Sequence, residues 1–189
     1  MNKLEQAAQR STGSIRVSQT AKGHEIPQKS PAIATIFWAG LACGILDISA
    51  ALVTWGLRGV HPVRLLQAIA SGLLGAKAFD GGWQTAFLGV ACHFLIAFSV
   101  STVYYGASRK LEFMTQHATF SGVSYGIAVY VVMYWMVMPF SHLQQTPFSP
   151  ARTLIAIVTH MLCVGLPIAV IVRRFSMPAN AKLGHSRAA

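Results

Sequence analysis

Residues 32–57 read AIATIFWAGLACGILDISAALVTWGL, an apolar run with a single charged side chain, Asp47. A helix of about 20 apolar residues crosses the roughly 30 Å hydrocarbon core of a bilayer, because each residue adds about 1.5 Å. The stretch therefore predicts a transmembrane helix that carries one acid in its interior.

Three further apolar stretches reach the same length, at residues 83–106, 118–139 and 151–172. The chain is 53% hydrophobic and only 11% charged, whereas soluble domains are about 25% charged. These observations predict an all-α integral membrane four-helix bundle over residues 31–174. Trp83, Tyr104 and Tyr105 fall near predicted span ends, where aromatic rings are expected to lie among the lipid headgroups.

Residues 1–30 carry few large apolar side chains and are expected to form a flexible N-terminal tail, with 175–189 as a C-terminal tail. The first apolar run is longer than the roughly 7–15 residues of a cleaved signal peptide core, so it is expected to be retained. Eleven of the 15 basic residues belong to the two tails and the second connection. They are Lys3, Arg10, Arg16, Lys22, Lys29, Arg109, Lys110, Arg173, Arg174, Lys182 and Arg187. Because positive charge is retained inside, both termini are expected in the cytoplasm.

The formal charge of +10 arises from tails and connections and is not interleaved with stacking aromatics. A nucleic-acid partner is therefore not expected. The expected partner is the lipid bilayer, with Arg173 and Arg174 near anionic headgroups at the cytoplasmic face. Since four short spans enclose little space, a homo-oligomer is also expected.

The first connection contains PVRLLQAIASGLLG, residues 62–75, which is too short to cross a bilayer. Proline suits the first position of a helix, and leucines recur at helical spacing. The segment predicts a short interfacial or re-entrant helix between spans one and two, a candidate lid over the outer face. The alternative is a connector that rests in the headgroups.

Three ionisable residues, Asp47, His93 and His160, lie deep in different predicted spans. With the N-terminus inside, all three are displaced from their span centres toward the outer leaflet, so they are expected to meet at one level. Ionisable residues within spans are functional candidates by default. One hypothesis is a midplane cluster that handles protons, a small cation or a solute, with Asp47 fixing the tautomer of one imidazole.

Two alternatives remain open. The polar residues would specify helix packing in a non-catalytic scaffold or accessory subunit, or His93 and His160 would ligate a b-type haem in an electron carrier. Apart from haem or a metal ion of unknown identity, no cofactor is expected. Enzyme activity is not expected either, because GxSxG, P-loop, HExxH and EF-hand motifs are absent from the sequence.

Small residues share faces with the ionisable ones, and such faces allow close helix approach. The predicted packing positions are Gly40 and Gly44 beside Asp47, Gly89 with Ala97 and Ser101 beside His93, and the pair Gly122 and Gly126. The cysteines, Cys43, Cys92 and Cys163, form no metal-binding or disulfide pattern and are expected to be packing residues.

The chain resembles the small bacterial inner-membrane proteins of the YagU-like group. The resemblance rests on GLACGILDISAALVTWG in the first span, ACHFLIAFSVSTVYY in the second, MVMPFS at the end of the third and THMLCVGLPIAVIVRR in the fourth. It covers residues 32–174 and implies a multi-pass location in the bacterial cell inner membrane. It supplies no catalytic residues.

Overall fold

The computed structural model describes residues 32–140 and 149–176, and this part of the chain is helical and contains no strand. The predicted tail 1–30 and most of the predicted tail 175–189 lie outside the described residues. The helices are α1 (Ala32–Gly56), α2 (Pro62–Leu74), α3 (Gly82–Lys110), α4 (Glu112–Gln116), α5 (Ala118–Val132), α6 (Pro150–Thr159) and α7 (Leu166–Ser176).

The prediction of four membrane-length helices is confirmed. Among the residues that the structure describes, four helices are long and apolar enough to cross a membrane: Ala32–Gly56, Gly82–Lys110, Ala118–Val137 and Pro150–Ser176. The second and fourth extend past the apolar runs that predicted them, because backbone hydrogen bonding continues through polar residues such as Arg109 and Arg173.

The third and fourth long helices each contain one π turn, in which the N–H bonds the carbonyl five residues back. The first π turn, Met133–Val137, extends α5, and the second, His160–Gly165, joins α6 to α7. Each ends two residues before a proline, Pro139 or Pro167. A proline has no N–H and disturbs the preceding turn, so a widened turn at these places follows from the sequence.

The bundle is arranged so that α1 packs against α3 on one side and against the second π turn and α7 on the other. α5 packs against the same π turn and α7. Small side chains line these contacts, with Ala39, Ala97 and Ala169 each at most 5% exposed. Because apolar helices gain little from being brought together in lipid, such close backbone contact is the expected source of packing energy.

The predicted packing glycines lie at close contacts between helices, with aromatic rings facing two of them and backbone atoms facing the others. A Cβ atom at Gly40 would overlap the Phe98 ring, and one at Gly44 would lie 2.6 Å from the Phe94 ring. A Cβ at Gly122 would lie 2.9 Å from the carbonyl oxygen of Gly165, a residue of the second π turn. A larger side chain at Gly40 or Gly44 would displace these rings, and one at Gly122 would force the two backbones apart.

Helix α2 packs along the first two turns of α3. The backbone of Gly89 touches the carbonyl of Leu66 so closely that a Cβ atom at residue 89 would overlap it. The side chain of Gln67 is 4% exposed and donates a hydrogen bond to the Gly82 carbonyl at 3.0 Å. Helix α2 is therefore held against α3 by backbone contact and by a buried amide.

Candidate functional site: a polar cavity inside the bundle

Asp47, His93 and His160 lie at one level of the bundle. Each is three residues from the middle of its long helix, displaced toward the end that carries α2. Three residues correspond to about 4.5 Å along a helix axis. All three side chains line a single cavity between the helices. Helices that are distant in sequence thus bring one acid and two imidazoles to one place.

The cavity has a volume of about 30 Å³ and is partly open. A water molecule needs about 10–15 Å³ measured in this way, together with polar partners. The space therefore suits one or two water molecules. Much of the remaining lining is apolar, including Val100, Val129 and Val164, so the polar groups are concentrated at the three ionisable residues and Cys43.

His93 bridges two helices. Its Nε2 lies 2.9 Å from the carbonyl oxygen of Gly44 in α1. Because a carbonyl only accepts hydrogen bonds, Nε2 is the protonated nitrogen and donates. The Phe94 ring stands edge-on to the imidazole, with 5.6 Å between the ring centroids. His93 is thus oriented by a neighbouring helix, and this hydrogen bond contributes to the contact between α3 and α1.

His160 is held within its own helix. Its Nδ1 lies 2.8 Å from the carbonyl oxygen of Ala156, one turn earlier, so Nδ1 donates. In the neutral imidazole the opposite nitrogen, Nε2, is then an acceptor. Tyr130 stands edge-on to the ring at 5.7 Å between centroids, and His160 is also the first residue of the second π turn. π turns often occur at functional sites.

Asp47 is half-buried, and within the described residues its carboxylate has no hydrogen-bond or ion-pair partner. The structure therefore corrects the prediction that Asp47 fixes an imidazole tautomer, because the carbonyls of Gly44 and Ala156 do so. The cause is the glycine at residue 44, which lets α3 come close enough for His93 to reach the α1 backbone. Asp47 is left facing the cavity.

The cavity does not fit a haem. A bis-histidine haem needs an iron-binding nitrogen from each imidazole and a slot for the porphyrin. Here the Nε2 of His93 donates to a carbonyl, and about 30 Å³ has room for small molecules of the size of water. Among residues 32–140 and 149–176, no group of three His, Cys, Asp or Glu side chains is placed to hold a metal ion.

The expectation that Cys43 is a packing residue is confirmed, because Cys43 is 1% exposed within the hydrophobic core. Cys43 also lines the cavity, one turn before Asp47. Tyr104, expected among the headgroups, is 0% exposed, and its hydroxyl donates to the carbonyl of Met114 at 3.3 Å. The position of Tyr104 near a span end gave no indication of this burial.

The fold and the cavity together define a class: over residues 32–140 and 149–176, a helical protein with four membrane-length apolar helices that enclose a small cavity lined by apolar side chains and three ionisable ones. These helices indicate a multi-pass membrane protein. Comparison with known proteins gives no match to a family model, a curated protein or a solved structure.

Proposed function

We propose that this chain is a multi-pass protein of the bacterial inner membrane that passes protons through the cavity lined by Asp47, His93 and His160. The observation that carries the proposal is the convergence of three ionisable side chains from three helices on one cavity. Charged groups at a bilayer centre cost about 2.5–3.5 kcal/mol each on insertion scales. A function that uses them explains why they are placed there.

The membrane arrangement in this proposal has four crossings and cytoplasmic termini. It is supported by the length of the four helices and by the excess of basic residues in the tails and the second connection. Arg173 and Arg174 are exposed at the end of α7, where they would contact anionic headgroups. The resemblance to the YagU-like group supports the inner-membrane location.

Helix α2 is proposed to lie at the outer interface, at the end of the bundle toward which the three ionisable residues are displaced. Two arginines near it stack on aromatic rings: Arg58 lies 5.2 Å from the Trp55 centroid, and Arg64 lies 4.2 Å from the Phe79 centroid. Trp83 is 66% exposed at the start of α3. Aromatic rings and arginine side chains of this kind are typical of a membrane–water boundary.

Protons suit the cavity better than metal ions. The Asp47 carboxylate and the Nε2 of His160 are both proton acceptors, and one or two water molecules between them would connect the two groups. A metal cation instead needs several protein ligands around it. In the proposed step, one proton leaves Asp47 or His160 while a second proton arrives from water, so the site returns to its starting state.

The test uses purified protein in liposomes that contain a pH-sensitive dye, with a potassium diffusion potential to drive protons inward. Asp47→Asn and His160→Gln are each expected to lower proton flux at least tenfold. Matched controls are Asp80→Asn and His61→Gln, which change the same side chains at exposed positions outside the cavity. Wild-type flux equal to that of protein-free liposomes would refute the proposal, as would full flux in Asp47→Asn.

One observation favours a second candidate, a packing scaffold: the hydrogen bond from His93 to the Gly44 carbonyl joins two helices. In that case Asp47→Asn and His160→Gln do not change the proton flux into the liposomes. His93→Ala lowers the unfolding free energy of the protein. Loss of proton flux in His160→Gln would therefore indicate the proton function. Unchanged flux together with lower stability of His93→Ala would indicate the scaffold.

A further inference from the structure

The acid and the two imidazoles occupy one end of the cavity only. Asp47, His93 and His160 lie at the end nearer α2. Two further lining residues lie closer to the end of the bundle that carries α4: Val164 comes four residues after His160, and Val100 comes seven residues after His93. Seven residues correspond to about 10 Å along a helix. The lining therefore changes from ionisable to apolar along the axis of the bundle.

Three valines line the apolar end, and we call them the valine collar. Val100, Val129 and Val164 come from α3, α5 and the second π turn, and all three line the cavity. Val129 and Val164 are 7% and 4% exposed, and Val100 packs against the same core. Beside them lie Ala97 and Cys43, whose thiol is only a weak hydrogen-bonding group. Three separate helices thus contribute apolar side chains to this end.

A buried layer backs the valine collar on the side of α4. Tyr104 and Ile168 each lie four residues beyond the collar valine of their own helix, and both are 0% exposed. Tyr125 lies four residues before Val129, and its ring meets that of Tyr104 with 5.0 Å between centroids. Both tyrosine hydroxyls donate to backbone carbonyls. A proton moving from the cavity toward α4 therefore meets packed side chains in place of water.

An apolar constriction acts as a barrier because water leaves it. Narrow passages lined by apolar side chains lose their water, and channels use this effect to close. Water remains in a cavity only where it finds several polar partners. Asp47 and His160 provide such partners at one end of the cavity, whereas the valine collar provides none at the other. The dry part of the route therefore begins at the valine collar.

We propose that the valine collar is a hydrophobic gate, which separates the cavity from the α4 end of the bundle until water enters between the three valines. The inference rests on the proposed proton transfer and adds the place where it is controlled. Once water enters, a proton leaves the Asp47 carboxyl or the His160 imidazolium for a water molecule in the collar. A proton from water at the α2 end then replaces it, so the group regains its starting state.

The experiment is the liposome proton-flux measurement with Val129→Thr. Threonine is β-branched like valine, and its hydroxyl gives water a hydrogen-bond partner inside the collar. We expect flux to rise about fivefold, the effect of one net hydrogen bond on an equilibrium constant. The matched control is Val131→Thr, the same change two residues away at a side chain that is 46% exposed. Its flux is expected to stay at the wild-type level.

Two more variants keep the test decisive. Val100→Thr makes the same change at a partly buried member of the collar and serves if Val129→Thr fails to fold. Its hydroxyl can donate to the carbonyl four residues earlier, as Thr102 does in the same helix. The double variant Asp47→Asn with Val129→Thr is expected to lose the increase, because protons that cross the gate still pass through the cavity.

The outcomes separate the two proposals. A conducting wild type with Val129→Thr and Val100→Thr no faster than Val131→Thr would overturn the gate and leave the cavity function standing. An increase that persists in the double variant would also overturn the gate, because those protons would bypass the cavity. A wild type that conducts no protons would overturn both proposals.

Discussion

Substitution of Gly126 by alanine tests whether the contact between α5 and the second π turn sets the position of His160. The new Cβ atom would lie 2.6 Å from both the His160 carbonyl oxygen and the Met161 Cα. Ordinary contacts begin near 3.4 Å, so one backbone must retreat by about 0.8 Å. Overpacking of a dense core costs about 1–3 kcal/mol.

The matched control is Gly106→Ala, at a helical glycine in α3 where an added Cβ atom meets nothing within 4 Å. That change is expected to be neutral or to stabilise by up to about 1 kcal/mol, because alanine favours the helix. Unfolding by sodium dodecyl sulfate in mixed micelles, followed by circular dichroism, measures both variants. We expect Gly126→Ala to be less stable than Gly106→Ala by about 2 kcal/mol.

Proton flux provides a second readout for the same pair of variants. The backbone displaced in Gly126→Ala belongs to His160, so flux is expected to fall in this variant and to remain at the wild-type level in Gly106→Ala. Equal stability of the two variants would refute the close approach of α5 to the second π turn.

Three further outcomes follow from the contacts described above. Gly89→Ala should push α2 away from α3 and speed trypsin cleavage in α2, whereas Gly106→Ala should not. Equal cleavage of the two variants would contradict the packing of α2 against α3. His93→Ala should lower the unfolding free energy by about 1 kcal/mol, because it removes a hydrogen bond between two helices. His160→Ala should lower it by less, because its hydrogen bond lies within one helix. The reverse order would contradict this assignment of the two hydrogen bonds. In micelles, a maleimide should label half-exposed Cys92 before buried Cys43, and faster labelling of Cys43 would place it outside the core.

The four long helices were predictable because a bilayer requires a minimum apolar length, and this requirement is visible in the sequence. The predicted ends of the second and fourth spans were four residues short, since helices continue into polar segments where hydropathy carries no information. The level shared by Asp47, His93 and His160 was also predictable, because the rise per residue converts sequence offsets into depth.

The hydrogen bonds of the site were not predictable. Donation by His93 to the Gly44 carbonyl depends on how closely α3 approaches α1, and a glycine pattern shows that helices approach without showing which polar atoms then meet. The burial of Tyr104 was missed for a related reason. Hydropathy places a tyrosine near a span end at an interface, whereas its burial depends on which helices pack around that end.

The second π turn has a consequence for the rotational register of the fourth long helix. In an α-helix one extra residue rotates everything after it by about 100°. A π turn accommodates one such extra residue in a single wider turn. Ile168, Ala169 and Val172 are buried beyond this turn. Deleting one residue between His160 and Gly165 would therefore let the turn become α-helical and keep this surface buried, whereas deleting one residue within α6 would rotate the surface toward lipid. The two deletions change the hydropathy profile equally little, so hydropathy does not reveal the difference.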